Sequence, residues 1–230
     1  MAFRVLKRGL LLLVGTMGSF CVVCLLVHSG AALWQPPAGE TTPKILAFPM
    51  EIPGTTLVAR HLILYEGGFL EDGSQEYEAN VAAVLLENTG SVSVESARVI
   101  LHWEDGAYVF DVDMLPPGIP VIVLERSRQP YEQKTWTACQ GIQKIAYDPW
   151  ESCLEVSASK ITLQITNPTD QTVRDVCIYF KDYLKDQDIL VGGVVHRCMI
   201  GDIPPHTTVT AEPYHFVEGY SKILCVDHQK

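Results

Sequence analysis

The stretch ITNPTDQTVRDVCIYF, residues 165–180, decides the fold, because a similar stretch, LENTGSVSVESARVIL, occurs at residues 86–101. Asn88 matches Asn167, 79 positions further on, and each Asn follows an alternating run and precedes a cluster of small polar residues, TGS or PTD. Alternation of apolar and polar residues is typical of a strand, and such a cluster is typical of a turn. Each stretch therefore predicts a strand, a turn and a second strand.

The similarity between the two halves continues at an offset of 88, where LPPGIPVIVLE (115–125) matches IPPHTTVTAEP (203–213). Each of these stretches predicts a Pro-Pro turn between two strands. The second copy has nine extra residues, around KDYLKDQDILVGG. A repeat of this length is a domain rather than a short solenoid module. We therefore predict an all-β protein of two tandem Ig-like antiparallel β-sandwiches, residues 44–154 and 155–230.

Two parts of these predicted domains depart from simple alternation. Residues 126–150 alternate weakly, and we expect a long excursion that packs against one or both sandwiches. The sequence VGG at residues 191–193 predicts a bulge or a bend in a strand.

The N-terminal region contains an apolar stretch, GLLLLVGTMGSFCVVCLLV, whose 19 residues (9–27) carry no charge. A helix of this length covers about 28 Å, close to the hydrocarbon thickness of a bilayer. The nearby basic residues all lie in residues 1–8, which predicts a cytoplasmic N-terminus. The composition of residues 28–43 predicts a tether between the membrane and the folded region. We predict a single-pass membrane protein whose C-terminal region is extracytoplasmic. The alternative is a signal peptide cleaved after Ala31, which also exports the rest.

The charge of the chain limits its partners. The net charge is −10, and the residues after position 34 contain 14 basic and 27 acidic side chains. Such a surface repels phosphate backbones and anionic lipid headgroups, so we expect no nucleic-acid partner and contact with the membrane only through the N-terminal helix.

No catalytic motif is present in the sequence. There is no G-x-S-x-G, H-E-x-x-H, P-loop or G-x-G-x-x-G pattern. His196 and Cys198 stand two apart on one predicted strand, where packing is the commoner role. A zinc site from Cys177, Cys198 and His196 matches no zinc-knuckle spacing. We expect no catalytic residue, no cofactor and no metal.

Five cysteines follow the apolar stretch, and their connectivity stays open. Cys139 and Cys153 bracket the predicted excursion, which a disulfide between them would staple. Cys177 and Cys198 lie on runs that a hairpin brings together, so they would pair if they faced the same side. The alternative is free, partly buried thiols that pack as small hydrophobes.

The sequence PYHF near the C-terminus gathers aromatic residues around a histidine. Tyr214, His215 and Tyr220 would form either the edge of a core or a platform for a ligand such as a sugar ring.

Several stretches resemble an uncharacterised group of membrane-anchored, two-sandwich proteins of Gram-positive bacteria. They are LLENTGSVSVESARVILHW and YVFDVDMLPPGIPVIVLERSRQPY in the first half, and ITNPTDQTVRDVCIYFKDY, LVGGVVHR and PYHFVEGYSKILCV in the second. The second half is also similar to FxLYD-like exported domains. The resemblance covers most of residues 81–226 and implies an exported double sandwich in a bacterial envelope, with no activity and no catalytic residues. This chain differs from the group at His206, because a Gly is typical of that position after the Pro turn. Cys177 and Cys198 are also features of this chain that the group does not share.

These observations favour a non-catalytic envelope protein that binds an unknown envelope protein through loops or strand edges. A first alternative is a cell-wall or carbohydrate binding module that uses Tyr214, Tyr220 and Trp150. A second is an exported enzyme that uses Cys198 or His215.

Overall fold

The computed structural model describes residues 46–68, 77–146 and 153–229. Every regular element in these ranges is a β-strand. In chain order the strands are β1 Met50–Glu51, β2 Leu57–Gly68, β3 Tyr77–Asn88, β4 Val94–Trp103, β5 Gly106–Leu115, β6 Val121–Leu124, β7 Ala138–Ile145, β8 Glu155–Ser159, β9 Thr162–Thr166, β10 Val173–Leu184, β11 Ile189–Ile203, β12 Thr208–Ala211 and β13 Ser221–Gln229.

These strands form one seven-stranded sheet and two three-stranded sheets. The large sheet has the order β1-β2-β3-β6-β11-β10-β13, and the small sheets have the orders β5-β4-β7 and β12-β9-β8. All the described residues belong to one compact unit, Lys44–Lys230. The prediction of an all-β protein with sandwich-like layers is therefore confirmed.

The two larger hydrophobic cores lie between these layers, and a third, smaller cluster contains Val81, Ala83 and Leu124. The first includes side chains from β2, β3 and β6 and from the facing strands β4 and β5, among them Leu57, Val84, Val99, Phe110 and Val123. The second includes side chains from β9 and from the facing strands β10 and β11, among them Leu163, Ile165, Ile178, Phe180 and Ile203. Apolar residues alternate along β10, so Val176, Ile178 and Phe180 share one face of the strand, and all three point into the second core.

The same pattern of strand pairing occurs in both halves. In the first half β3 pairs with β2 and β6, and β4 pairs with β5 and β7. In the second half β9 pairs with β8 and β12, and β10 pairs with β11 and β13. The predicted order of strand, Asn turn, strand, hairpin, Pro-Pro turn and strand is present in each half.

The first matched Asn explains why this order is stable. Asn88 is fully buried, and its Nδ2 donates hydrogen bonds to the carbonyl oxygens of Val92, at 2.8 Å, and Leu115, at 3.2 Å. Its Oδ1 accepts the backbone N–H of Gly90 at 3.0 Å. One side chain thus closes the turn after β3 and ties it to the end of β5, where the Pro-Pro turn begins.

Asn167 makes the same contacts in the second half. It is fully buried, and its Nδ2 donates to the carbonyl oxygens of Gln171, at 2.7 Å, and Ile203, at 3.0 Å. The residue after the Pro-Pro turn also has an equivalent conformation, since Gly118 has φ 73° and His206 has φ 52°. His206 therefore adopts a left-handed backbone that favours Gly, and its Nε2 lies 2.8 Å from Asp170 Oδ1.

The nine extra residues of the second copy join the two halves. Seven of them lengthen β10 and β11 relative to β4 and β5, and two lengthen the connecting turn. The lengthened part of β11 pairs in parallel with β6, with Leu190 opposite Val121 and Val191 opposite Ile122. Leu190 is fully buried in the first core, although its strand belongs to the second half.

A bulge with a buried lysine lies next to this junction. The register of β10 and β11 shifts between Phe180 and Asp182, which confirms the bulge predicted at VGG. Lys181 is fully buried there, and its Nζ donates to the carbonyl oxygens of Gly192 and Gly193, each at 2.7 Å. These charge-assisted hydrogen bonds satisfy carbonyl groups that the bulge removes from the ladder.

The predicted excursion over residues 126–150 does pack against the first sandwich, because Trp136 is buried in the first core. It is not irregular throughout, since it contains β7, which pairs with β4 along its length. The inward positions of β7 are Cys139, Gly141 and Gln143, none of which is a large apolar residue, and a Cβ on Gly141 would lie 2.3 Å from Cγ2 of Ile52. The strand therefore lacks the alternation of large apolar residues by which strands are recognised.

Other predictions concern residues outside the described ranges. They are the cytoplasmic segment, the membrane anchor, the tether, the cleavage after Ala31 and the ligand role of Trp150. Among the described residues no helix has the length and hydrophobicity of a membrane span. The domain boundary at residues 154 and 155 stays a prediction, and the seven-stranded sheet has strands from both sides of it.

We expect Asn167→Ala to lower the free energy of unfolding by about 2–4 kcal/mol, because it leaves buried carbonyl groups without a donor. Urea unfolding followed by circular dichroism measures the loss. Gln164→Ala on the exposed face of β9 is the control and should change stability by about 0.5 kcal/mol or less. Equal losses for the two variants would contradict the role of the buried carboxamide.

We expect Leu190→Ala to destabilise the protein by about 2–5 kcal/mol, because it opens a cavity in the first core. Leu184→Ala, in the same hairpin but 40% exposed, should cost about 1 kcal/mol or less. The same unfolding measurement compares them. A small loss for Leu190→Ala would show that the second half does not complete the first core.

Candidate functional site

A groove lies on the outer face of the sheet β5-β4-β7. It encloses about 490 Å³, and we call it the Ile142 groove. The register aligns its lining in two rows across the three strands, Asp111–Arg98–Ile142 and Asp113–Ser96–Lys144. All six side chains project from the side of the sheet opposite the first core, because alternate residues of a strand point to opposite faces.

Ion pairs border this groove on both sides. Arg98 forms a bidentate pair with Asp111, with Nε–Oδ1 at 2.6 Å and Nη2–Oδ2 at 3.1 Å. Arg126 approaches the same carboxylate at 3.6 Å, and Lys144 pairs with Glu95. The bidentate geometry fixes the direction of the Arg98 side chain, so the charged border is partly preorganised.

Ile142 is the unusual residue of the groove. Its side chain is 75% exposed, the highest value of any large aliphatic residue in the described ranges. It lies on β7, which stands at the edge of its sheet, where no further described strand pairs with it. Ile145 on the same strand is 41% exposed. An edge strand with exposed aliphatic side chains is a template for pairing with another chain.

The groove is also connected to the junction between the two halves. Asp113 lines the groove, and burial raises the pKa of its carboxyl, while the Lys181 ammonium opposes this rise. Lys181 is the buried residue that holds the bulge of β11. One end of the groove is therefore close to the contact between β5 and the second half of the large sheet.

The predicted ligand aromatics lie in the loop between β12 and β13. Tyr214 is 83% exposed and Tyr220 is 71% exposed, whereas His215 is half-buried. The ring centroids of Tyr214 and His215 lie 3.8 Å apart, and those of His215 and His196 lie 5.5 Å apart. The structure thus brings Tyr214 and His215 together and adds His196, while Tyr220 makes no ring contact within the described residues.

The five cysteines of the described ranges are all free thiols. Cys177 lies opposite Met199, and Cys198 lies opposite Ile178, so the two sulfurs are on opposite faces of the sheet. The condition for a Cys177–Cys198 bridge is therefore not met. Cys139 lies on β7 with its Sγ 3.6 Å from the Glu51 carbonyl oxygen, and Cys153 is exposed. Both are free thiols in the structure, so the predicted bridge between Cys139 and Cys153 is not formed there.

The residues considered for an enzyme have mainly packing contacts. Cys198 packs against the second core, and burial raises the pKa of its thiol, which lowers the fraction of nucleophilic thiolate at neutral pH. His196 stacks on Phe180 with ring centroids 5.2 Å apart, and its Nε2 lies 3.7 Å from Asp182 Oδ2. Among the described residues no group of three or more His, Cys, Asp or Glu side chains has a geometry that could hold a metal ion.

The Ile142 groove was missed by reasoning from the sequence. Its residues come from three strands, and one of these strands was not predicted. Once β7 is recognised, the signal is the isoleucine at position 142 between outward-facing Gln140 and Lys144. An apolar residue at an outward position of an edge strand is the feature that marks the surface.

No protein-family model matches the sequence, and a search of curated proteins gave no significant match.

We expect the five thiols to react with iodoacetamide at very different rates in the folded protein. Exposed Cys153 should react first, and Cys225 should be slow because burial raises the pKa of its thiol to about 12. At that pKa the thiolate is about a thousandfold scarcer at neutral pH than at the usual value of 9.0.

Mass spectrometry of timed samples at pH 7.5 measures the rates, and the denatured protein is the control in which all thiols should react alike. Labelling of Cys225 as fast as that of Cys153 in the folded protein would contradict the buried position of Cys225.

Proposed function

We propose that this protein is a non-catalytic, extracytoplasmic binding protein of the cell envelope, and that its partner is a protein that adds a strand to β7. Residues 9–27 anchor it by a single membrane span, with the alternative of secretion after cleavage near Ala31. The apolar stretch with basic residues before it supports this placement. The resemblance to membrane-anchored proteins of Gram-positive bacteria supports it as well.

We further propose that the two halves are tandem Ig-like domains. In the first half, apart from the two-residue β1, strands β2, β3 and β6 belong to one sheet and β4, β5 and β7 to another. In the second half β8, β9 and β12 belong to one sheet and β10, β11 and β13 to another. This is the arrangement of strands A, B and E against C, C′ and F in immunoglobulin-like sandwiches. Domains of this class commonly present loops and edge strands to partners rather than enclosing a reaction centre.

The exposure of Ile142 on an edge strand is the observation that carries the proposed protein partner. Burial of an isoleucine side chain contributes roughly 1.5–3 kcal/mol, which an unbound monomer does not gain. A strand added to β7 would also satisfy the free backbone groups of that edge. Because β7 has eight residues, the added segment can be long enough for several backbone hydrogen bonds.

The charged border of the groove indicates the character of the partner. Exposed ion pairs add little affinity, but they favour a partner with complementary charges and exclude others. Ile142 lies at the β7 side of the groove, beside the charged residues, and protein–protein interfaces commonly combine apolar with polar side chains. We therefore propose a partner segment with a large apolar residue between charged residues of both signs.

Photo-crosslinking in living cells tests this proposal. A photoreactive residue replaces Gln140, which is exposed on the same face of β7 as Ile142. We expect one dominant protein adduct, and we expect Ile142→Asp to reduce its yield by at least about tenfold, since a charge cannot replace the apolar contact.

Two controls make the experiment specific. The same photoreactive residue at Ser157 on edge strand β8 should not give this adduct, and Ile161→Asp, which changes an isoleucine 52% exposed, should not reduce it. Identical adducts from Gln140 and Ser157, or full crosslinking by Ile142→Asp, would refute binding at β7.

A further inference from the structure

We propose that the loop between β12 and β13, residues 212–220, is a second binding site, which binds a pyranose ring of a neutral or amino-sugar polysaccharide on the ring of Tyr214. This site is distinct from the Ile142 groove and goes beyond the proposed protein partner. It belongs to the second half of the molecule, whereas the groove belongs to the first.

The loop presents an unusual set of side chains to solvent. Tyr214 is 83% exposed, Tyr220 is 71% exposed and Val217 is 41% exposed, all within nine residues. Folding does not require these exposed positions to be apolar or aromatic, because the second core is filled by other residues. Aromatic residues left in water at neighbouring positions are typical of binding surfaces.

The loop is held in place by the fold around it. Phe216 is 2% exposed and packs in the second core, so it anchors the middle of the loop. Glu218 is tied to the turn between β8 and β9 twice, since its N–H donates to the Lys160 carbonyl oxygen and its carboxylate accepts the Lys160 N–H. The carbonyl oxygen of Tyr220 accepts the N–H of Tyr183. A loop fixed in this way loses little conformational entropy on binding.

A series of ring contacts connects Tyr214 with the second core. The rings of Tyr214 and His215 are in edge-to-face contact, with an interplanar angle of 65°, and Tyr214 stays 83% exposed despite this contact. His215 has a left-handed backbone, with φ 70°, and its ring lies against His196. His196 in turn stacks on Phe180 of the core. A series of ring contacts from Tyr214 through His215 and His196 to Phe180 therefore connects the exposed ring to the second core.

The chemistry of this surface favours a sugar ring over other ligands. A pyranose presents an apolar face of C–H groups, which stacks on an aromatic ring, and hydroxyl groups around its edge, which need hydrogen-bond partners. The Tyr214 and Tyr220 hydroxyls, the His215 imidazole and the Glu212 carboxylate belong to the same loop. The residues after position 34 contain 27 acidic and 14 basic side chains, which repel polyphosphates and other polyanions. The ligand is therefore a neutral or amino-sugar polymer.

Sedimentation with insoluble polysaccharide tests the inference, with the full-length protein in detergent solution and chitin and cellulose as the polymers. We expect the protein to pellet with at least one of them, and we expect Tyr214→Ala to weaken binding by at least about tenfold. Tyr214→Trp should retain binding, since it keeps an aromatic face. Tyr77→Ala is the matched control, because Tyr77 is 70% exposed but lies on β3 in the first half.

The outcomes separate this site from the Ile142 groove. Ile142→Asp should leave polysaccharide binding unchanged, while Tyr214→Ala should leave the crosslinked protein adduct unchanged. Absence of binding to both polymers would overturn the inference, as would equal losses for Tyr214→Ala and Tyr77→Ala. Circular dichroism of each variant shows that it is folded, which we expect because Tyr214 is exposed.

Discussion

Two buried carboxamides hold the strand ends together in the two halves of this molecule. The Nδ2 of Asn88 and that of Asn167 each donate to a carbonyl oxygen of the following turn and to one at the end of a strand far along the chain. No apolar side chain could satisfy these carbonyl groups, and a buried unsatisfied carbonyl is costly. The strands on either side of each Asn are therefore fixed relative to one another, and the two layers of each sandwich follow from that constraint.

The nine residues by which the second copy is longer than the first determine how the two halves are joined. The nine extra residues of the second copy extend one hairpin, and this hairpin continues the sheet of the first half through the parallel pairing of β11 with β6. Leu190 then fills a place in the first core. Lys181 holds the bulge that the longer strand requires, with two charge-assisted hydrogen bonds of 2.7 Å. An insertion in one repeat thus turns two similar units into one continuous sheet.

The two surfaces that we propose for binding have different physical characters, and neither occurs in both halves. The Ile142 groove lies on the outer face of a sheet, at a free strand edge between ion pairs, which suits the backbone and side chains of another protein. The loop with Tyr214 presents aromatic rings on a fixed support, which suits the flat apolar face of a sugar. Similar sandwiches can therefore carry unlike sites, because edges and loops are free to differ once the core is formed.

The sequence by itself determined the all-β class, the two Asn turns, the Pro-Pro turns and the bulge at VGG. Each of these depends on local alternation or turn chemistry, which is read within about ten residues. Tertiary structure alone decided the pairing of β7 with β4, the joining of β11 to β6 and the opposite directions of Cys177 and Cys198. It also brought Arg98, Asp111 and Ile142 into one row, and it placed His196 beside His215. The physical reason is that the side neighbours of a strand, and the register between them, come from residues distant in sequence and are selected by the packing of the whole core.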